Sequence, residues 1–234
     1  MTRFLYTKLF FFLICISPFL AMADYSISPV KVFFNTNDKM ASISLKNGND
    51  DEANFQLALY KWTRVDGKDV YEESKDLTVT PVIFKIKPGE SQLIRLAPKT
   101  TFKTGVEKAY RLFLKELPSR QSTEANVINV VMQFGVPIFV EPSKKEGNLV
   151  CNLTAKSKTL ELTCKNNHNQ HTLVSTLELN NHEESVAKQE INKYVFPNES
   201  ITISVEKPQT DAKISGNLIT YYKGSKIETP LNIE

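Results

Sequence analysis

Glycine is scarce in this 234-residue chain, eight in all, and none of the eight gathers into a phosphate-cradling loop. No serine stands in a G-x-S-x-G setting, so one familiar nucleophile signature is missing. Histidine is nearly as rare. His168 and His171 fall in the polar stretch NNHNQHT and His182 in another. None has a set of Cys, Asp or Glu neighbours that would complete a metal site, and all three read as solvated loop residues. The 29 Lys and Arg nearly balance the 26 Asp and Glu, which gives no reason to expect a nucleic acid or an anionic membrane surface as partner. Acidic pairs such as Asp50-Asp51 and Glu72-Glu73 sit in turns and read as solvated. These absences leave an enzyme reading without support, and no cofactor or metal is expected.

Long hydrophobic runs are also lacking. Leu9–Leu20 is too short for a membrane-spanning helix of about 20 residues and is interrupted by Pro18. Preceded by Arg3 and Lys8 and followed by Ala21-Met22-Ala23, it reads as an export signal over residues 1–23, with no membrane insertion after cleavage. Cysteine usage agrees. Cys15 leaves with the signal, and Cys151 and Cys164 remain as a pair that an oxidising compartment would join as a disulfide.

The rest of the chain reads as strands. Apolar alternation recurs in Tyr25–Phe34, Met40–Leu45, Asn54–Thr63, Leu77–Thr80, Val82–Ile86, Ser91–Ala97 and Lys108–Leu117, with turn residues between them. Pro29 marks an edge or a switch between sheets. Asp66-Gly67 is a hairpin signal. Pro142–Gly147 reads as a linker, followed by shorter and more polar strands: Leu149–Ala155, Thr159–Lys165, Thr172–Leu179, Glu190–Phe196, Ser200–Val205, Asn217–Tyr222 and Lys226–Asn232. The expected fold is all-β, with two immunoglobulin-like β-sandwich domains at 24–142 and 143–234. No internal repeat is visible in the residues.

The first domain is organised around Asn126–Val140, NVINVVMQFGVPIFV. Side chains alternate in an extended chain, so Ile128, Val130, Met132, Phe134, Val136, Ile138 and Val140 form an unbroken apolar row. The row is about twice as long as a usual strand of 5–6 residues, which leaves apolar positions beyond what one core needs. Three cations, Lys31, Arg95 and Arg111, lie inside apolar strands, where a charge is costly unless paired, exposed or snorkelling. Each is either an ordinary edge residue or the anchor of an anionic group in a cleft.

Four blocks together resemble the periplasmic chaperones of chaperone–usher pilus assembly: Ile27–Phe34, Thr80–Ala97 with its P-x-x-x-x-I-x-P-G core, Tyr110–Pro118, and the organising strand up to Glu141-Pro142. The second domain matches only in size, strand density and position. The resemblance implies two immunoglobulin-like domains in an L or boomerang arrangement, located in the periplasm. It implies pilus subunits and an outer-membrane usher as partners. Ile128, Val130, Met132 and Phe134 match the residues such chaperones insert into a subunit's groove by donor-strand complementation. It also implies two cations holding the subunit's terminal carboxylate. Lys31 matches the first; the second position falls on Pro137, a departure that points to a divergent branch such as the archaic lineage. Arg111, on the strand expected beside the donor strand, is the replacement candidate, with Arg95 second. The alternative is an exported structural or adhesive pilus subunit, for which an N-terminal donor extension would be needed and is not apparent.

Overall fold

The computed structural model describes residues 25–118, 130–181, 184–208 and 214–233, which form seventeen β-strands and no helix. In the first sandwich, β1 (Tyr25–Ser28), β3 (Ala41–Asn47), β8 (Ser91–Pro98) and β6 (Leu77–Thr80) lie side by side in that order. They face a wider sheet of β2 (Val32–Phe34), β10 (Gln133–Val140), β9 (Lys108–Leu117), β4 (Ala53–Val65) and β5 (Lys68–Glu73), with β7 (Ile83–Ile86) also paired to β4. Period-two alternation builds the core between the sheets: Phe55 and Leu57 from β4, Tyr110, Leu112 and Leu114 from β9, and Val136, Ile138 and Val140 from β10 all point inward.

In the second sandwich, β11 (Leu149–Ala155), β12 (Thr159–Asn166) and β15 (Ser200–Glu206) face β14 (Glu184–Val195), β13 (Thr172–Asn181), β16 (Ile214–Tyr222) and β17 (Ser225–Leu231) around a separate core. The expected all-β, two-sandwich architecture is therefore present. Cys151 and Cys164 are direct cross-strand partners, 4.1 Å apart at Cα, and are joined by a disulfide.

Some boundaries differ from the expectation. The opening strand divides at Pro29: β1 pairs antiparallel with β3, and β2 pairs parallel with β10 in the other sheet. Pro29 has no amide hydrogen with which to continue a ladder, so the chain changes sheets there. The organising strand pairs from Gln133 onward; Ile128 lies outside the described residues. The strand β5 and the long reach of β14 escape the reading of the sequence because both are almost fully exposed on both faces and carry no apolar period.

Although no repeat is visible in the residues, the two sandwiches share one structural corner. Asn47 and Asn166, both fully buried, each end a strand and close the same corner. The Asn47 amide donates to the carbonyls of Asp51 and Ile86 and accepts from the Asn49 amide. The Asn166 amide donates to the carbonyls of Gln170 and Val195 and accepts from the His168 amide. Their main chains bond in the same way to two equivalent turns, Pro88-Gly89-Glu90 and Pro197-Asn198-Glu199. Gly89 (φ 73°) and Asn198 (φ 62°) hold the left-handed conformation that these residue types tolerate. Each buried amide thus has several partners, without which its desolvation would be costly.

Replacing both Cys151 and Cys164 by Ser should remove about 3 kcal/mol, the loop-entropy value for a ring of this size. The second sandwich should then melt first. Calorimetry checks this, and an unchanged melting profile would count against it.

Candidate functional site

From Val136 to Val140 every residue of β10 is buried, on both faces. The even side chains enter the first core, whereas Phe139 lies under the second sandwich. Phe139 stacks on His171 with ring centroids 3.8 Å apart and on Phe33 at 5.5 Å. Trp62, on the outward face of β4, meets Phe196 edge-on at 4.8 Å and Tyr194 at 5.5 Å. Together these rings form a small aromatic core between the domains.

His171 is therefore not a solvated loop residue. Its backbone amide donates to Glu107 Oε1 at 3.0 Å, and its Nδ1 lies 2.7 Å from the same oxygen, with both side chains buried. The ring fills the interface beside Phe139, and Glu107 Oε1 gains two partners there, while the buried Oε2 has none among the described residues. A second carboxylate works in the same interface. Glu141 accepts from Tyr222 Oη and Lys223 Nζ, each at 2.6 Å, with Lys145 Nζ at 3.3 Å. On the other side, Arg64 of β4 donates to the Tyr194 carbonyl and the Glu199 carboxylate of the second sandwich while holding Asp69 of the first.

Two of the three singled-out cations come together beside this interface. In the β9–β10 register Arg111 is directly opposite Pro137. Lys31 precedes Val32, whose partner is Ile138, so continuing that register sets Lys31 beside Pro137 from the other flank. Lys31 and Arg111 thus bracket the residue that cannot supply a cation itself. Arg111 lies with its guanidinium carbon 4.6 Å from the Trp62 ring centre, a cation–π stack. Its buried Nε has no hydrogen-bond partner. Lys31 Nζ is 5.3 Å from the Tyr194 ring centre. Gly135 makes room: a Cβ there would stand 3.0 Å from Arg111 Nε and 3.2 Å from Phe113. Arg111, Trp62, Asp69, Lys193 and Tyr194 line an open cleft of about 570 Å³ between the sandwiches. Arg95 stands elsewhere, exposed on the narrow sheet opposite Ser42 and Thr80.

The apolar row leaves the core at the far end of β10. Phe134 is partly buried against the core, Met132 is 43 % exposed and Val130 is 78 % exposed. The same row therefore serves an interior at one end and lies open at the other.

Sequence reasoning did not single out Trp62, Arg64, Glu107 or Glu141. A signal existed for Trp62, the only tryptophan, which alternates with Lys61 and Thr63 on the face of the strand opposite Leu57 and Leu59. The carboxylates carry none, because ionic partners contributed by another domain leave no local period.

Residues 24–146, more than half of the chain, match the family model of the pili and flagellar-assembly chaperone, PapD N-terminal domain. No curated protein sequence matches the chain. Among solved structures, a chain of the CsuC–CsuE chaperone–tip adhesion subunit pre-assembly complex, from archaic chaperone–usher Csu pili of Acinetobacter baumannii, is 22% identical with a TM-score of 0.64. That likeness covers 91% of this chain and 100% of the other. The YadV chaperone is 18% identical with a TM-score of 0.63, covering 88% and 98%. The CupB2 chaperone of Pseudomonas aeruginosa is 14% identical with a TM-score of 0.60, covering 89% and 100%. These likenesses extend the shared fold to the second sandwich.

Acid should loosen the interface between the sandwiches. Burial alone would raise the Glu141 carboxyl, but Lys223, Tyr222 and Lys145 outweigh it and hold the group below its ordinary 4.5. A depressed carboxyl contributes stability above its unfolded value and loses it as the pH falls through its folded value. This contribution should therefore persist at neutral pH and erode below about pH 4.5. Glu141→Gln should cost about 1.5–3 kcal/mol at pH 7, the range for hydrogen bonds to a charged group. Denaturant titrations at pH 7 and pH 4 should show a smaller acid loss in the variant than in the wild type.

Proposed function

The chain belongs to the family of pili and flagellar-assembly chaperones, and we propose that it binds pilus subunits in the periplasm by donor-strand complementation and delivers them to an outer-membrane usher. Residues 1–23 act as the export signal, and the functional units divide near Pro142, into 24–142 and 143–234. The observation that carries this reading is the passage of one apolar row from the chaperone's own core at Val136, Ile138 and Val140 to exposure at Met132 and Val130. Exposed apolar side chains at the end of a strand suit strand addition, in which main-chain bonds supply affinity and alternate side chains fill a groove. Ile128, Val130 and Met132 are the inserted residues, and Phe134 stands at the border.

Lys31 and Arg111 hold the subunit's terminal carboxylate. Their support is the flanking position about Pro137 and the unpartnered Arg111 Nε beside the cleft. Arg95, on the other sheet, has no such support. A pilus subunit would need an open groove, whereas β10 closes the first sandwich from within the chain. Neighbouring structures are described as chaperone–subunit complexes, which supports pilus subunits as the partner class.

Co-expression with candidate pilins, followed by purification, tests the reading through an equimolar complex. Burying Met132 in a groove should contribute about 1.5–3 kcal/mol, and a carboxylate there should cancel much of that gain. Met132→Asp should thus abolish capture with near-normal melting; loss of the folded chaperone would contradict the donor assignment. Lys31→Ala and Arg111→Ala should each weaken capture by about 1.5–3 kcal/mol and leave folding nearly unchanged. Capture by the Arg111 variant at wild-type strength would remove that residue from the anchor.

A further inference from the structure

The ladder between β9 and β10 runs in register from Val140↔Lys108 to Gln133↔Lys115. The next pair would be Met132↔Glu116, and only half of it forms as main chain. The Glu116 amide donates to the Met132 carbonyl at 2.9 Å. The Met132 amide instead donates to the Glu116 side chain, at Oε2 and 2.9 Å. A carboxylate is a stronger acceptor than a peptide carbonyl, so it diverts the amide that would have continued the ladder. The next donor that β9 could turn toward β10 is at position 118, a proline, which has none.

The other oxygen of Glu116 accepts from Tyr25 Oη at 2.5 Å. Tyr25 opens β1 on the opposite sheet, and its ring packs edge-on against Phe55 at 5.2 Å and Phe134 at 5.7 Å. Burial, and then the Glu116 bond and charge, push the Tyr25 phenol well above its ordinary value, so it remains a donor at neutral pH. Tyr25 thus ends the core at Phe134, while the carboxylate it holds ends the ladder at Met132.

We propose that Glu116, fixed by Tyr25, is a positioning residue that sets where β10 stops pairing within the chaperone and in which phase the apolar row is offered to a subunit. The inference rests on the donor-strand reading above and adds what determines its register. Register matters because a slip of one residue would turn Val131, rather than Met132, toward the groove. A slip of two would keep the face but misalign every side chain with its site.

The free full chain, after export, is sufficient for the test. Residue-resolved amide exchange should find Met132 protected in the wild type. Glu116→Ala should lower that protection about tenfold or more, as expected for one charge-assisted hydrogen bond. Val136 and Ile138 should hold theirs. Glu116→Gln retains an acceptor oxygen and should restore most of the protection, and Tyr25→Phe should fall between. As a measure of register, a Lys115→Cys, Gln133→Cys pair should cross-link in the wild-type background. A Lys115→Cys, Val131→Cys pair should cross-link only when Glu116→Ala is added, because the released end can then bulge by two residues while Val136–Val140 keeps its register. Wild-type exchange at Met132 as fast as in an unstructured peptide would overturn the proposal. So would an equal loss of protection at Met132 and Val136 in Glu116→Ala, or no slipped cross-link in that background. Neither measurement involves a subunit, so failed capture and a failed register device give different results.

Discussion

Burial of both faces of one short stretch, Val136–Val140, is the constraint on which the rest of the molecule depends. A strand in an ordinary sandwich has one face inside and one in solvent. Here the even side chains fill the first core and Phe139 lies under His171 of the second sandwich. That double burial ties the register of β10 to the relation between the domains. A shift along β9 would disturb the core, the aromatic interface and the spacing of Lys31 and Arg111 at once. The cleft inherits its geometry from packing on the other side of the same strand.

Charge makes this interface specific. Phe33, Phe139, Trp62, Tyr194 and Phe196 supply contact area, yet rings alone tolerate rotation and sliding. The Glu107–His171 bond and the grip of Tyr222 and Lys223 on Glu141 each hold a buried carboxylate in one arrangement. Arg64 adds a third link near the cleft. The second sandwich is therefore a buttress for the outward face of β9 and β10. The repeated asparagine corner shows that each sandwich also carries its own internal closure.

Much of this was legible where one side of a strand faces a core. Alternation located most strands, Pro29 marked the change of sheet, and the pair of cysteines left in an exported chain pointed to the disulfide. Lys31 and Arg111 stood out as cations in apolar surroundings, but so did Arg95, since alternation does not say which sheet a strand joins. His171 could not be read because its burial comes from another domain and its neighbours are Asn, Gln and Thr. The repeated corner was hidden for a related reason. Its bonds run mainly through the backbone, so only Lys-Asn and Pro-x-Glu-Ser recur in the residues. β14 was seen short because an exposed edge needs no pattern.

The aromatic walls around Lys31 and Arg111 also have a kinetic meaning. Neither cation forms an ion pair among the described residues, and each lies against a ring rather than a carboxylate. Uncompensated charge in a cleft with low-dielectric walls sends its field outward, where it guides diffusing anions and raises their encounter rate. Such guidance is screened over about 8 Å at physiological ionic strength. Under the proposed donor-strand reading, added salt should slow the arrival of an anionic chain end far more than it hastens departure, because departure would have to strip apolar side chains from a groove that ions do not reach. The cleft would thus separate how quickly a chain end is found from how long it is kept.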